Sequence, residues 1–334
     1  METLTQHAIA EFFDKDAIRV APETLYRADT GSDRFYYTVD DKGEPTFYPS
    51  VTTMVSAYLP TSPHLMKWMR EKGDQAELYK KERAAYGTLM HIMIKDFLLF
   101  DELNLDANIS ELYADMFETD SQFIGYRDKC REEWSHELKK DLLSFATFVR
   151  EYDVKPLAIE IPLASKIVGA AGTLDLPCTM KVPVSGAYGA KLKSGKNKGK
   201  RKVIKTRRLM RCLVDFKSGR SGFYDSHEVQ LLLYRELWNK QFPEHRIKRI
   251  FNWSPAEWRV TPKYKLKDQT GSVYGAELSS MIKICKSRFA GKEPRVKIIS
   301  GVLTKDSDPS TMYKSMSLAD IVRNQFKSSS INQE

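Results

Sequence analysis

In the stretch LVDFKSGR an acid, Asp215, and a base, Lys217, stand two positions apart. On an extended strand that spacing sends both side chains to one face. A carboxylate so placed holds a hard cation such as Mg2+ or Mn2+. An ammonium beside it orients or activates a water and offsets charge on a phosphorane-like transition state. Such a pair is common as a surface ion pair, so its neighbours decide the reading. Upstream, GTLDL sets Asp175 among Ala170, Ala171, Leu174 and Leu176. A carboxylate within an apolar strand is costly unless it is paired, metal-bound or at a strand end. Glu160 repeats the pattern in AIEIPL, alternating with Ile159 and Ile161. Carboxylates from three strands can thereby converge on a cation. Downstream, Gln230 and Tyr234 lie on one face of a helix, where they hydrogen-bond substrate phosphates or brace the lysine. In YGTLMHIMI, Gly87 and Thr88 begin a helix and His91 follows in its first turns. Beside a carboxylate cluster its imidazole would be a metal ligand.

These side chains need a framework. RFYYTV (34–39) and PTFYPSVTTMV (45–55), rich in β-branched and aromatic residues, read as a strand pair around the turn DDKGEP. Residues 64–149 read as mostly helical, looser and acidic between Asp101 and Asp120. From Lys155 the texture changes. PLAIEIPLAS, AAGTLDLPCTM, RCLVDFK and IKRIFNW read as strands, with helices at SHEVQLLLYRELWNKQF and GAELSSMIKICKSRFAG. Helices followed by β–β–β–α–β predict an α/β fold: one mixed central β-sheet flanked by helices, with a helical N-terminal elaboration. We expect a single domain over 1–306, its helical part at about 60–150 and its β-core at about 155–260, and a polar, Ser-rich tail over 307–334.

Charge and cysteine usage narrow the partners. The net charge is +9, and residues 191–208, KLKSGKNKGKRKVIKTRR, hold ten Lys or Arg and no acid. A basic surface favours polyanions through counterion release. Cys130, Cys178, Cys212 and Cys285 are scattered without a C-x-x-C pair. That disfavours a zinc ribbon or a disulfide framework and leaves four buried thiols. No apolar run approaches the ~20 residues of a membrane span, so no membrane partner is expected. The N-terminus METLTQHAIAEFFDKD lacks a signal pattern. A cytoplasmic protein, or one made in a host cell's cytoplasm, is expected.

In order along the chain, GTLMH (87–91), Glu160, GTLD (172–175), DFKSG (215–219) and QLLLY (230–234) resemble the motifs of the RecB-like branch of the PD-(D/E)XK nuclease superfamily. That branch includes the nuclease domains of recombination helicase–nucleases, CRISPR-associated exonucleases, and single-chain phage and mitochondrial exonucleases. YPSVTTMVSAYLP (48–60) is similar to the Ser-Val-Thr segment that opens many single-chain members, so the resemblance spans residues 48 to about 255. It implies a restriction-endonuclease-like core and a Mg2+- or Mn2+-dependent DNA nuclease. An exonuclease on single-stranded or duplex ends is favoured over a sequence-specific endonuclease, serving DNA recombination, repair or replication. By analogy it implies a helicase or recombination protein as partner. His91, Asp175 and Asp215 would be metal ligands, joined by the Phe216 carbonyl, with Glu160 at the rim and Lys217 as the catalytic lysine. Gln230 and Tyr234 would contact DNA or support the site, and Ser50 and Thr52 would approach the DNA backbone.

The chain departs from the family in places. Forty positions separate Asp175 from Asp215, more than a short hairpin needs. The excess is the basic segment, read as an extended hairpin or loop. Its Lys196, Lys198, Lys200, Arg201, Lys202, Arg207 and Arg208 would grip phosphates without reading bases. Asp215 stands where many relatives have Glu. The cysteines do not match the family's iron–sulfur pattern, so no cluster is expected. Two other readings stay open: a non-catalytic DNA-binding or assembly module that keeps the fold, and an RNA-processing nuclease of the same fold.

Overall fold

The computed structural model describes residues 5–6, 25–29, 34–191, 193–196, 198–220, 222–289, 294–299, 304–305 and 308–331. The chain opens with a four-stranded antiparallel sheet of β1 (Thr5–Gln6), β2 (Tyr26–Asp29), β3 (Arg34–Val39) and β4 (Pro45–Pro49), in that order. Helices follow: α1 (Val51–Tyr58), α2 (Pro63–Lys72), α3 (Gln75–Phe100), the short α4 (Ile109–Leu112), α5 (Ala114–Thr119) and α6 (Arg127–Lys129), and α7 (Ser135–Tyr152). The β-rich half holds β5 (Lys155–Pro156), β6 (Ile161–Ser165), β7 (Ala170–Leu174), β8 (Leu176–Lys191) and β9 (Arg201–Phe216). It continues through α8 (Asp225–Gln241), β10 (Arg249–Pro255), β11 (Tyr264–Asp268), α9 (Leu278–Phe289), β12 (Arg295–Ile299), α10 (Pro309–Met312), β13 (Tyr313–Ser317) and α11 (Leu318–Ile331).

The central sheet runs β11-β10-β9-β8-β5 and is mixed: β9 and β10 are parallel, every other pairing antiparallel. The parallel pair is joined by α8, the crossover that such a pair requires. Alternation along β9 divides the core. Cys212, Val214 and Phe216 pack with α3 and α7 on one face, where Leu89, Phe145, Phe148 and Trp253 are buried. Leu213 packs on the other face, with Val51 and Met54 of α1, Leu233 and Trp238 of α8, and Cys285 of α9. The sheet is thus flanked by helices on both faces, the mixed α/β arrangement expected. Cys130, Cys178, Cys212 and Cys285 are all buried.

Two local expectations need correction. The segment after Pro49 is not a strand: Val51–Tyr58 is helical despite its β-branched residues. Ser50 caps that helix by accepting the Thr53 N–H, and the positions i, i+3 and i+4 of Val51, Met54 and Val55 are buried. Gly87–His91 do not open a helix but lie well inside α3, which begins at Gln75. The polar stretch over 307–334 carries α10, β13 and α11 among its described residues. β13 pairs with β12, and Leu318 and Val322 of α11 pack on Ala28 and Tyr37 of the N-terminal sheet.

Candidate metal centre

Asp175 does not sit in the middle of a strand. AAGTLDLPCTM divides into β7 and β8, and Asp175 is the bend between them. β7 pairs with β6 and bridges Ser50 at Ala171, whereas β8 enters the central sheet, so the chain changes sheets at the carboxylate. Glu160 likewise lies in the bend before β6, at φ +50°, a left-handed conformation uncommon for a residue with a Cβ. Its N–H donates to the Asp175 carbonyl at 2.9 Å, which joins the two bends.

His91 comes in from α3. Its Nδ1 lies 3.1 Å from Glu160 Oε1 and 3.9 Å from Asp175 Oδ1. Ligand atoms of His91, Glu160 and Asp175 all lie within 4.8 Å of one another. The other Asp175 oxygen, Oδ2, accepts the Phe216 N–H at 2.6 Å, and the Phe216 ring stands edge-on to the His91 imidazole. Asp215 lies deeper, with only 1% of its side chain exposed, against 26% for His91 and 28% for Glu160. Lys217 Nζ contacts both Asp215 oxygens, at 3.0 and 2.8 Å. The parallel register of β9 and β10 sets Asn252 beside Asp215, and Asn252 Nδ2 donates to Oδ2 at 2.7 Å.

The expected ligand set is therefore brought together in part. Glu160, placed at the rim by the resemblance, is a full member of the group with His91 and Asp175. Asp215 stands behind that group, its carboxylate taken up by Lys217 and Asn252. Gln230 and Tyr234 act as braces for the lysine: Lys217 Nζ donates to Gln230 Oε1 at 3.2 Å, and Gln230 Nε2 donates to the Tyr234 hydroxyl at 3.0 Å. Tyr234 is buried against Gly172, where any Cβ would fall 2.7 Å from its ring. The same logic applies at Gly87, where a Cβ would fall 2.9 Å from Ser218 Oγ. Those two glycines let α8 close on β7 and the loop after Lys217 close on α3.

The remaining predicted contacts lie elsewhere. Ser50 is buried and occupied as a helix cap, while Thr52 is exposed in the first turn of α1. Lys196, Lys198 and Lys200 are exposed at the tip of the β8–β9 hairpin. Arg201 and Lys202 begin β9, and their side chains lie outside the described residues. Arg207 reaches α7, where it donates to the Glu151 carbonyl and covers the Tyr152 ring. Arg208 is exposed.

Electrostatics follow from burial and crowding. Burial alone would lower the His91 imidazole, but the Asp175 and Glu160 carboxylates outweigh it and raise it to about 9. Burial raises both Asp175 and Asp215, countered by His91 at the first and Lys217 at the second. A metal-ligating His91 would be neutral. Three carboxylates and one ammonium then leave these groups at about −2, the charge a divalent cation cancels.

Three further residues were missed in the sequence. Asn252 is wholly buried, and its Oδ1 accepts from Gln269 Nε2. A lone amide in the apolar strand IFNW was the available signal. His227, in the first turn of α8, is pushed down to about 4 by burial and by Lys217. Arg220 clamps the loop after Lys217 to α7 through Glu137 and buried Asp141, which also accepts from Tyr86. No family model and no curated protein matches the chain. None of the helices among the described residues is long and apolar enough to cross a membrane.

Proposed function

We propose that this chain is a Mg2+- or Mn2+-dependent deoxyribonuclease on a restriction-endonuclease-like core of the RecB-like kind, acting as an exonuclease on DNA ends. One observation carries the reading. His91, Glu160 and Asp175 form a compact donor set, and the Asp215–Lys217 pair stands directly behind it at the end of β9. One imidazole and several carboxylate oxygens suit a hard divalent cation, with His91, Glu160 and Asp175 as its holders and Asp215 within the same electrostatic group. Such an ion lowers the pKa of a bound water and neutralises charge on a phosphate under attack.

The chain's own groups supply the rest. Lys217 presents an ammonium whose direction is set by Asp215 on one side and Gln230 on the other. Held in place before the reaction, it offsets charge developing on the phosphate without reorganising. The Phe216 N–H holds one Asp175 oxygen and leaves Oδ1 turned toward His91. Asn252 and Gln269 keep the Asp215 carboxylate in one orientation from behind. Nothing in mere DNA binding requires a buried acid paired with a half-buried lysine beside a metal-type donor set, which favours a catalyst over a non-catalytic module.

The test is a time course on 5′- and 3′-labelled DNA, single- and double-stranded, linear and circular, with Mg2+, Mn2+ or chelator, and RNA as competitor. Metal-dependent release from linear ends, sparing of circles and loss of activity in Lys217→Ala and Asp215→Ala are expected. No cleavage with either metal, or undiminished cleavage by both variants, would overturn the assignment. Preferential cutting of RNA would move it to RNA processing.

A further inference from the structure

The basic segment and the metal centre occupy opposite ends of one hairpin. Asp175 and Asp215 flank the Leu176–Val214 pair at its root, and the last registered pair is Lys191–Arg201. That span is thirteen residue-to-residue steps along β9, or about 40 Å at ~3.3 Å per step. β5 pairs with β8 at Cys178 and Thr179, and β10 pairs with β9 from Cys212 to Phe216, with the Lys248 N–H on the Arg211 carbonyl just before. Outward from Met180 and Met210 the hairpin continues as a two-stranded ribbon, with register shifts near its tip. Arg207 and the Lys181–Asp153 ion pair fasten the base of this ribbon to the end of α7.

Beyond that anchor the ribbon is built for anions. Residues 182–208 contain no Asp or Glu. Lys191, Lys193, Lys196, Lys198 and Lys200 are all exposed. A two-stranded ribbon is marginally stable alone, and clustered like charge weakens it further. The charge therefore calls for a partner outside the chain. The partner's chemistry is narrowed by what the tip lacks: residues 191–208 include no Phe, Tyr or Trp. Single-strand sites combine charge with aromatic platforms for the bases, whereas a duplex backbone offers phosphates alone.

We infer that the ribbon tip is a second DNA contact, about 40 Å from the metal centre, that takes the phosphate backbone of a duplex. The inference rests on the DNA-nuclease reading and adds a length requirement to it. Forty ångströms is about 12 base pairs at ~3.4 Å each. A duplex is stiff over ~150 base pairs, so once long enough it engages tip and centre as one body and the second contact adds by effective concentration.

The experiment measures binding of the full chain by fluorescence anisotropy without divalent metal, on duplexes from about 8 to about 40 base pairs. Affinity should rise in a step once the duplex passes about 12 base pairs. The variant K196Q/K198Q/K200Q should lose the step, and K196R/K198R/K200R should keep it. Three phosphate contacts at ~0.9 each flatten the log–log salt slope by about 2.7, about 40-fold between ~50 and ~200 mM salt. A smooth length dependence, equal weakening on the shortest duplex, or single strands showing the same step would overturn the inference. Cleavage of the same duplexes with Mg2+ is scored separately. A step without any cleavage removes the nuclease reading and leaves the ribbon site; cleavage without a step removes the ribbon site alone.

Discussion

Replacing Lys217 by Met tests the centre most directly, because it removes the ammonium facing a carboxylate that has almost no access to water. In Lys217→Met, Asp215 keeps only the Asn252 amide, and 1% of its side chain is exposed. Breaking a buried pair from one side costs about 3–5 kcal/mol. The loss has a ceiling, because the stranded carboxyl can take a proton: from a usual pKa near 4, neutralising it at pH 7 costs ~4 kcal/mol. Unfolding entropy of ~2.1 cal/mol/K per residue over 334 residues is ~0.7 kcal/mol/K, so Tm should fall by about 6 °C.

The opposite deletion should be milder. In Asp215→Asn, Lys217 keeps Gln230 and can turn its partly exposed side chain to water, so a loss of about 1–2 kcal/mol is expected. The double variant should be more stable than Lys217→Met alone, since it no longer buries a lone charge. The sign with pH follows. Losing Lys217 raises the folded pKa of Asp215 further above its unfolded value, so the penalty grows as pH rises above about 4 and shrinks on acidification toward it. Cleavage by Lys217→Met should fall ~100- to ~1,000-fold, as when one preorganised transition-state donor is removed. Differential scanning calorimetry at two pH values and initial rates on one labelled duplex decide it. An Asp215→Asn loss larger than that of Lys217→Met, or cleavage within a few-fold of the parent, would refute both the burial asymmetry and the catalytic role.

Gly172→Ala forces a Cβ into the Tyr234 ring and should lower urea stability by about 1–3 kcal/mol, with a smaller combined loss in Gly172→Ala/Tyr234→Ala than the two singles add to. His227, pushed down to about 4 by burial and Lys217, has a folded pKa below the usual ~6.5. It therefore contributes stability that is fully present above ~6.5 and is lost as pH falls toward 4, about 2 kcal/mol after allowance for its partial exposure. His227→Gln should flatten the melting profile in that window, and an unchanged slope would show that another group sets it. Asn252→Leu strands the Asp215 and Gln269 partners, for a chemical-denaturation loss of about 2–4 kcal/mol. A neutral outcome there would mean that water replaces the amide.

Periodicity and propensity were enough for a mixed central sheet flanked by helices and for α8, because those segments are long and their apolar faces continuous, but not for the separate β6–β7 pair that the bends at Glu160 and Asp175 set apart from that sheet. Single chemical groups overrode pattern elsewhere. One hydroxyl, Ser50, turns a β-branched run into a helix by satisfying its first turn. The strand character of 201–208 lay under its charge, since repelling lysines carry no core pattern, yet cross-strand pairing with β8 extends it. In α11 the buried Leu318, Ala319 and Val322, with the Arg323–Glu44 ion pair, dock a helix that otherwise reads as solvent-loving. Within the site, residue types alone pointed to His91, Glu160, Asp175, Asp215 and Lys217. Which acid stands nearest the imidazole was not legible, because it depends on the bends at Glu160 and Asp175.

Those bends bear on what Glu160 is for. At φ +50° a glutamate is strained where glycine or asparagine would sit more easily, by about 1 kcal/mol or more. A solvent-facing acid of no consequence has no reason to occupy such a position. Two contacts hold it there: the Glu160 N–H on the Asp175 carbonyl, and the Glu160 carboxylate on His91. The first ties its backbone to the residue at which the chain passes from the β6–β7 pair into the central sheet. The second directs its side chain into the donor set. Asp175 is in turn fixed to β9 by the Phe216 N–H, one residue from Asp215 and next to Lys217. A displacement at any of the three strand ends is thus passed to the other two through single hydrogen bonds. Glu160→Gly would relieve the backbone, so a stabilised but inactive protein is the outcome that separates a strained functional residue from a merely tolerated one.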